Sequence, residues 1–377
     1  MTSTQEIGSL QTPALVLDRS TLVRNCDRMR EKALRSGVAF RPHVKTHKVP
    51  GIGRIQHGGA PGPITVSTLA EAESFADEGF GDITYAVPIA PDKLSRVRDL
   101  MLRVKRLNIL VDNEGALEAL EAFDGGEGRG FDVFLKVDCG YHRAGVDPDS
   151  PSSVAFAKRL GASKSVRFHG LLTHAGHSYN ATSAEQILKI AHDEREAVRR
   201  FAARVATEGV GPLIRSIGST PTASLVETFE GVDEVRPGNY VFYDAFQATI
   251  GSCTLKDCAV SVLTSVIGIY REENRLMLDA GALALSKDTG PDHLIPRFGY
   301  GIVCDLALQR LPLRIDALSQ EHGKVSVDGE FDFDRIAIGS KLRIIPNHSC
   351  LTSAMFDRYH LVDGSLRVDE WKPVRGW

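Results

Sequence analysis

Arg41-Pro42-His43-Val44-Lys45-Thr46-His47-Lys48 is the stretch on which the reading of this chain turns. It continues a strand-like segment, Val38-Ala39-Phe40. Extended backbone alternates its side chains, so Arg41, His43 and Lys45 share one face and Phe40, Pro42 and Val44 the other. A lysine beside two other basic groups feels a repulsion that disfavours its ammonium form. The free amine is the form that attacks an aldehyde in Schiff-base chemistry. Taken alone, the segment reads more simply as one solvated lysine among many, so its place in the fold has to decide. Lys48, beyond the strand end, is expected in solvent.

Outward from this stretch, strand-like and helix-like patterns alternate. Strands are expected at 38–45, 64–67, 82–87, 107–111, 132–137, 166–173, 213–217 and 233–236. Helical patterns fill most gaps: Leu69–Glu78, Pro91–Arg103, Glu114–Phe123, Pro151–Leu160 and the long Ser183–Glu208. Eight strands alternating with helices imply a (β/α)8 barrel of the TIM type rather than an open doubly wound sheet. The absence of G-x-G-x-x-G after the first strand points the same way. Upstream, Thr12–Leu17 reads as a short strand, followed by a helix from Ser20, its N-cap, to Arg35, ended by Gly37. After Phe246 helical periodicity fades. Val260–Tyr270, Arg275–Asp279, Ile302–Leu306, Gly323–Val327 and Lys341–Pro346 read as strands of a β-rich domain joined by the N-terminal strand. The expected domains are residues 20–246 for the barrel, and 1–19 with 247–377 for the β-rich part. Gly125-Gly-Glu-Gly-Arg-Gly130 precedes a strand and lacks a Walker-type lysine, so it reads as a flexible loop on the far side of the barrel.

The 377 residues, 42% hydrophobic and 25% charged, suit an ordinary globular protein of two domains. A net charge of −3 gives no electrostatic case for nucleic acid or anionic membrane. The longest apolar-leaning run, Ala259–Tyr270, is too short to span a bilayer, and Met1–Leu10 lacks a signal pattern. Six scattered cysteines without a C-x-x-C pair suit reduced thiols in a cytoplasm.

In such a barrel, catalytic groups gather at the C-terminal strand ends. Lys45 ends the first strand, Arg143 follows the fifth, Thr173 ends the sixth with His174 and Tyr179 following it, and Tyr240 follows the eighth. Gly218-Ser219-Thr220-Pro221-Thr222 follows the seventh, where glycine lets the backbone approach and successive N–H groups and hydroxyls suit a phosphate. It reads equally as an N-cap turn without a ligand. His348-Ser349-Cys350 sets imidazole and thiol two residues apart at a strand end, a donor set that favours zinc over hard cations. A buried cysteine beside a structural histidine is the plainer alternative. The histidines at 57, 169, 192, 293 and 360 read as surface or loop residues.

Arg-Pro-His-Val-Lys-Thr-His-Lys resembles the cofactor-lysine segment of the D-serine dehydratase and D-threonine aldolase group, pyridoxal-phosphate enzymes of the alanine-racemase fold (fold type III). The resemblance recurs at Leu172-Thr-His-Ala-Gly176, Gly218–Thr222, Arg236-Pro-Gly-Asn-Tyr240 and Pro346-Asn-His-Ser-Cys350, and is closest to the 3-hydroxyaspartate dehydratase branch. It implies that Lys45 carries pyridoxal 5'-phosphate and acts as the catalytic base. Arg143 is expected on the cofactor's phenolic oxygen, although a surface salt bridge would suit it as well. Gly218, Ser219 and Thr220 are expected on the phosphate, with Thr173, His174, Tyr179 and Tyr240 as further cofactor contacts. His348 and Cys350 are expected to hold Zn2+ or another divalent metal, with His322 near it. A cysteine at the second metal position tilts toward dehydration, where the aldolase branch has aspartate. The implied activity is a lyase that converts D-threo-3-hydroxyaspartate, D-serine or D-threonine to a 2-keto acid and ammonia. Retro-aldol cleavage, racemisation and non-catalytic cofactor binding are the alternatives. A homodimer is expected, with the site near the interface.

Overall fold

The computed structural model describes residues 5–124 and 130–377. The Gly-rich segment 125–129 therefore lies outside the described residues. The chain divides into two compact units, Asp27–Gly238 with Val374–Trp377, and Met1–Cys26 with Asn239–Pro373.

The first unit is an eight-stranded parallel sheet with intervening helices. Its strands are Ala39–Phe40, Ile64–Val66, Asp82–Pro88, Arg106–Val111, Phe131–Lys136, Val166–Leu172, Ile214–Ile217 and Glu234–Val235. The first pairs with the eighth. The sheet's two ends meet through a parallel bridge between His43 and Thr65 and a hydrogen bond from Thr65 N–H to the Pro42 carbonyl of 2.9 Å. This is the expected (β/α)8 barrel. Its strands are apolar on both faces because helices cover them outside and side chains fill them inside. Ile109, Leu110, Val111, Val133 and Leu135 are accordingly buried. Leu110, Phe134 and Leu172 pack together, with Ala86 and Ile214 against them, as the middle of the barrel filling.

The first strand is shorter than expected. The ladder ends at Phe40, and Val44–Thr46 forms a 3-10 turn, so Lys45 does not continue the strand. Pro42 has no N–H to extend the ladder. Lys48 is not solvated but pairs with the buried Glu71 at 3.0 Å. His360, expected in a loop or at the surface, is buried in the strand Tyr359–Asp363.

The second unit holds a ten-stranded sheet. Six of its strands close into an antiparallel barrel in the order Val260–Tyr270, Arg275–Leu278, Gly323–Val327, Arg310–Leu318, Ile302–Cys304 and Lys341–Ile345. Ala14–Asp18 extends it along Val260–Tyr270, and Tyr359–Asp363, Leu366–Trp371 and Gln5–Glu6 follow. The last three, with Arg310–Leu318, were not expected from the sequence. Short strands in which polar residues interrupt the alternation carry little periodic signal. The helix Arg19–Arg35 begins one residue before the expected cap. Asp18 caps it, its Oδ1 accepting from Thr21 N–H and Ser20 Oγ–H at 2.8 Å each, a carboxylate at a helix N-terminus being favoured.

Candidate active site

At the C-terminal strand ends of the barrel unit, the side chains form a largely cationic cluster. Lys45 occupies the turn after the first strand, where His43 Nδ1 accepts its backbone N–H at 3.4 Å. His43 Nε2 lies 3.3 Å from Ser67 Oγ. Burial, then the charges of Lys45, Arg236 and His174, push His43 well below the usual histidine range, so it is neutral. A Cβ at Gly238 would come within 3.1 Å of the Cβ and the carbonyl oxygen of His43, so a side chain there would press on the backbone that carries the imidazole. His47, in the same motif, is structural. Its Nδ1 accepts Val49 N–H at 3.0 Å and its Nε2 meets Gln56 at 3.1 Å, while burial lowers its pKa to about 3.

His174 follows the sixth strand with Nδ1 on the Gly218 carbonyl. A carbonyl only accepts, so Nδ1 carries the proton and Nε2 has a free lone pair. Burial, then Lys45 and Lys136, hold the ring neutral. Thr173 is fully buried and donates its hydroxyl to the Val137 carbonyl at 2.8 Å. Tyr179 lies in the 3-10 segment Gly176–Asn180. Arg143, exposed, stacks over Tyr141 at 5.0 Å from the ring centroid and makes no salt bridge among the described residues. Asp138 shapes this loop by accepting the N–H groups of Gly140 and His142 at 2.9 and 3.0 Å.

Gly218-Ser219-Thr220 opens the short helix Thr220–Leu225, with Ser219 as its N-cap. Ser219 Oγ also meets Ser178 Oγ at 3.0 Å and Thr222 Oγ1 at 2.8 Å. Beneath the turn lies Glu194, fully buried. Its Oε1 accepts Ala175 N–H at 2.9 Å and Gly218 N–H at 3.2 Å, and its Oε2 accepts Thr222 Oγ1–H at 3.1 Å. One carboxylate thus ties the end of the sixth strand to the turn after the seventh. Burial raises its pKa against these hydrogen bonds. The sequence reading passed it over, yet a signal was present. Within Ala184–Ala206, the buried positions Ile187, Ala191, Glu194, Val198, Phe201 and Val205 recur at helical spacing, and Glu194 is the one acid on that stripe.

A buried chain runs across the barrel interior. Arg236 donates through Nε to Ser216 Oγ at 2.8 Å and through Nη2 to the Thr173 carbonyl. Ser216 Oγ–H reaches Glu234 at 2.6 Å, Glu234 accepts Arg41 Nε–H at 2.5 Å, and Arg41 Nη1–H reaches Asp82 at 2.7 Å. The basic face foreseen for Arg41, His43 and Lys45 therefore has its arginine neutralised by carboxylates from two other strands.

In the second unit, His348 caps the helix Ser349–Ala354, which contains Cys350. His348 Nδ1 bonds Asp288 Oδ2 at 2.9 Å. Burial opposes charge on this ring, but Asp288 and Cys350 outweigh it and raise its pKa well above the usual range. Asn239 Nδ2 lies 3.5 Å from Cys350 Sγ and 2.8 Å from Asp244 Oδ2, which also accepts Ser349 N–H at 3.0 Å. Carboxylate, imidazole and thiol in this sequence suit a metal: Asp288 holds Nδ1–H, and a metal would take the place of the proton on Nε2 beside the sulfur. Among the described residues, no group of three or more His, Cys, Asp or Glu side chains converges as a complete ligand set. His322 is exposed in the turn before Gly323–Val327 and belongs to no such group. Tyr240 also belongs to this unit and is fully buried in the turn Asn239–Val241. Asp288 had no local sequence signal, since it lies 60 residues from His348; Asp244 reads locally only as the N-cap of Ala245–Thr249, and its partner Ser349 lies 105 residues away.

Residues 17–245 match the alanine racemase N-terminal domain family and residues 259–362 a serine dehydratase domain family. The chain therefore belongs to the alanine-racemase-fold group of pyridoxal-phosphate enzymes, in the branch that carries a serine dehydratase domain. It is 38% identical to a D-serine dehydratase of Dictyostelium discoideum, over 99% of this chain and 98% of that protein. It is likewise 38% identical to a D-threo-3-hydroxyaspartate dehydratase of a Delftia species, over 98% of each. The solved structure of the Delftia enzyme superposes with a TM-score of 0.93 at 37% identity, over 99% of this chain and 100% of that one. A mutant of D-threo-3-hydroxyaspartate dehydratase has been solved in a metal-free form. A 3-hydroxy-D-aspartate aldolase of Paracoccus denitrificans is 28% identical over 93% of this chain and 88% of its own length. No helix among the described residues is long and apolar enough to cross a membrane.

Proposed function

We propose that this chain is a pyridoxal-phosphate- and zinc-dependent dehydratase of a D-3-hydroxy amino acid, giving a 2-keto acid and ammonia. The observation that carries the reading is a lysine in a turn at the barrel's C-terminal end, flanked by His43 and His174, both held neutral. Such a cluster suits proton transfer from carbon, which needs a base and excludes competing acids. Lys45 anchors the cofactor and its Nζ takes the α-proton. His174 offers Nε2 as a fixed acceptor, oriented through the Gly218 carbonyl. Gly218, Ser219 and Thr220 hold the phosphate, and Arg143 the phenolic oxygen. Bound pyridoxal phosphate supplies an electron sink for the charge left at the α-carbon.

His348 and Cys350 hold the divalent metal, with Asp288 orienting the imidazole and Asp244 the helix turn that bears the cysteine. Borderline-soft nitrogen and sulfur donors favour zinc, and a metal there supplies Lewis acidity to the departing β-hydroxyl. The homodimer rests on the family resemblance, and the cytoplasmic location on the six scattered cysteines.

The second reading is retro-aldol cleavage, supported by the 28% identity to an aldolase. The higher identity to two dehydratases and the cysteine at position 350 favour dehydration. Incubation of metal-replete holoenzyme with D-serine, D-threonine and D-threo-3-hydroxyaspartate tests the choice. A keto acid with ammonia supports dehydration, and glycine with an aldehyde or glyoxylate replaces it by the aldolase reading.

A further inference from the structure

Lys136 is a cation of the barrel that the proposed chemistry leaves unused. It ends the strand Phe131–Lys136, two residues beyond Phe134. Alternation along the strand puts both side chains on one face, and Phe134 packs inside the barrel with Leu110 and Leu172. Lys136 thus projects into the interior at the C-terminal end, and the residue is only 6% exposed. The charges that act on it come from Arg236, Arg143, Cys139 and Glu194, and its own charge reaches His174.

The other buried cations here are partnered. Arg41 holds Glu234 and Asp82, and Arg236 holds Ser216 and the Thr173 carbonyl. Lys136 makes no hydrogen bond or ion pair among the described residues, and neither does Arg143 beyond its stacking on Tyr141. Glu194, the acid whose charge reaches Lys136, is committed to Ala175, Gly218 and Thr222. Burial beside Arg236 and Arg143 lowers Lys136 to about 8, which still leaves it mostly protonated at neutral pH. A buried ammonium without an anion is strongly unfavourable. A site that binds an acid can retain one, because the ligand brings the missing charge.

We propose that Lys136 is the receptor for a substrate carboxylate, with Arg143 reinforcing its charge. The inference rests on the reading of this barrel end as an amino-acid site. Every amino acid offers an α-carboxylate, and 3-hydroxyaspartate offers a second on its side chain. Both make the same charge-assisted hydrogen bond to an ammonium.

The test compares native holoenzyme with Lys136→Met and Lys136→Arg. Malonate, an unreactive dicarboxylate, is titrated by calorimetry, and KM and kcat are measured for D-serine and D-threo-3-hydroxyaspartate. Loss of a charge-assisted bond corresponds to about 10- to 100-fold weaker malonate binding in Lys136→Met, with recovery in Lys136→Arg. A similar rise in KM for both substrates assigns Lys136 to the α-carboxylate, and a rise confined to the dicarboxylate assigns it to the side chain. No malonate binding by native protein overturns the proposal, as do unchanged malonate affinity and KM in Lys136→Met with the cofactor's visible absorbance retained. A native protein that takes up no cofactor would sink the cofactor reading instead, and the malonate comparison would still decide the role of Lys136.

Discussion

Replacing Lys136 by methionine should make the cofactor-free protein more stable at neutral pH. The residue is 6% exposed and the pKa of its amine is lowered from 10.5 to about 8, first by burial and then by Arg236 and Arg143. A difference of roughly two and a half units corresponds to about 3 kcal/mol against the charged form in the folded state. Below about pH 8 the amine is protonated in both folded and unfolded chains, so the folded state carries that whole penalty. Between about pH 8 and 10.5 the folded amine is neutral while the unfolded one still binds its proton, so native stability rises with pH. Methionine has nearly the same length and no charge. Lys136→Met should therefore exceed the native protein by about 3 kcal/mol at pH 7, with the gain shrinking toward zero above pH 10. Urea unfolding of both cofactor-free proteins at pH 7, 8, 9 and 10, followed by circular dichroism, reads this difference. A native protein as stable as the variant at pH 7, or a difference independent of pH, would refute the claim that Lys136 is an uncompensated buried charge. Stability gained where binding is lost is the expected signature of a functional residue.

Lys45→Ala should abolish covalent attachment of the cofactor, read as loss of the visible absorbance and of the borohydride-reduced adduct on the peptide containing residue 45. Cys350→Ala should lower bound metal per chain, and chelation of the native enzyme should remove turnover that added zinc restores; turnover that survives complete metal removal contradicts the assigned role of His348 and Cys350. Glu194→Ala leaves three buried donors without their acceptor, a loss of about 1–3 kcal/mol per group before relaxation. It should weaken cofactor affinity in a fluorescence titration, while Glu194→Gln, which keeps one acceptor oxygen, should retain most of it.

The barrel was legible because a parallel sheet covered on both faces writes long apolar strands such as 107–111 and 132–137 at regular spacing, with amphipathic helices between them. The motif Arg41–Lys48 marked the lysine at the barrel end, and His348 with Cys350 marked the imidazole–thiol pair proposed to hold a metal, since each set is contiguous in the chain. The first strand was over-extended because periodicity does not register that Pro42 cannot continue the ladder and that Val44–Thr46 turns. The strands Arg310–Leu318 and Tyr359–Asp363 escaped notice because their pattern of burial comes from the neighbours they pair with.

What the amino-acid order alone determined was local: which segments alternate, where a lysine, a phosphate-type turn and an imidazole–thiol pair stand. What only the tertiary structure decided was partnership. Glu194 lies 19 and 24 residues from the N–H groups of Ala175 and Gly218, and Asp288 lies 60 residues from His348. Arg41 finds Glu234 across 193 residues, whereas Lys136, of the same charge sign, makes no ion pair among the described residues and feels Glu194 only through space. Whether a buried charge is neutralised or left for a ligand depends on which strands come to stand side by side, and Coulomb interactions act through space rather than along the chain.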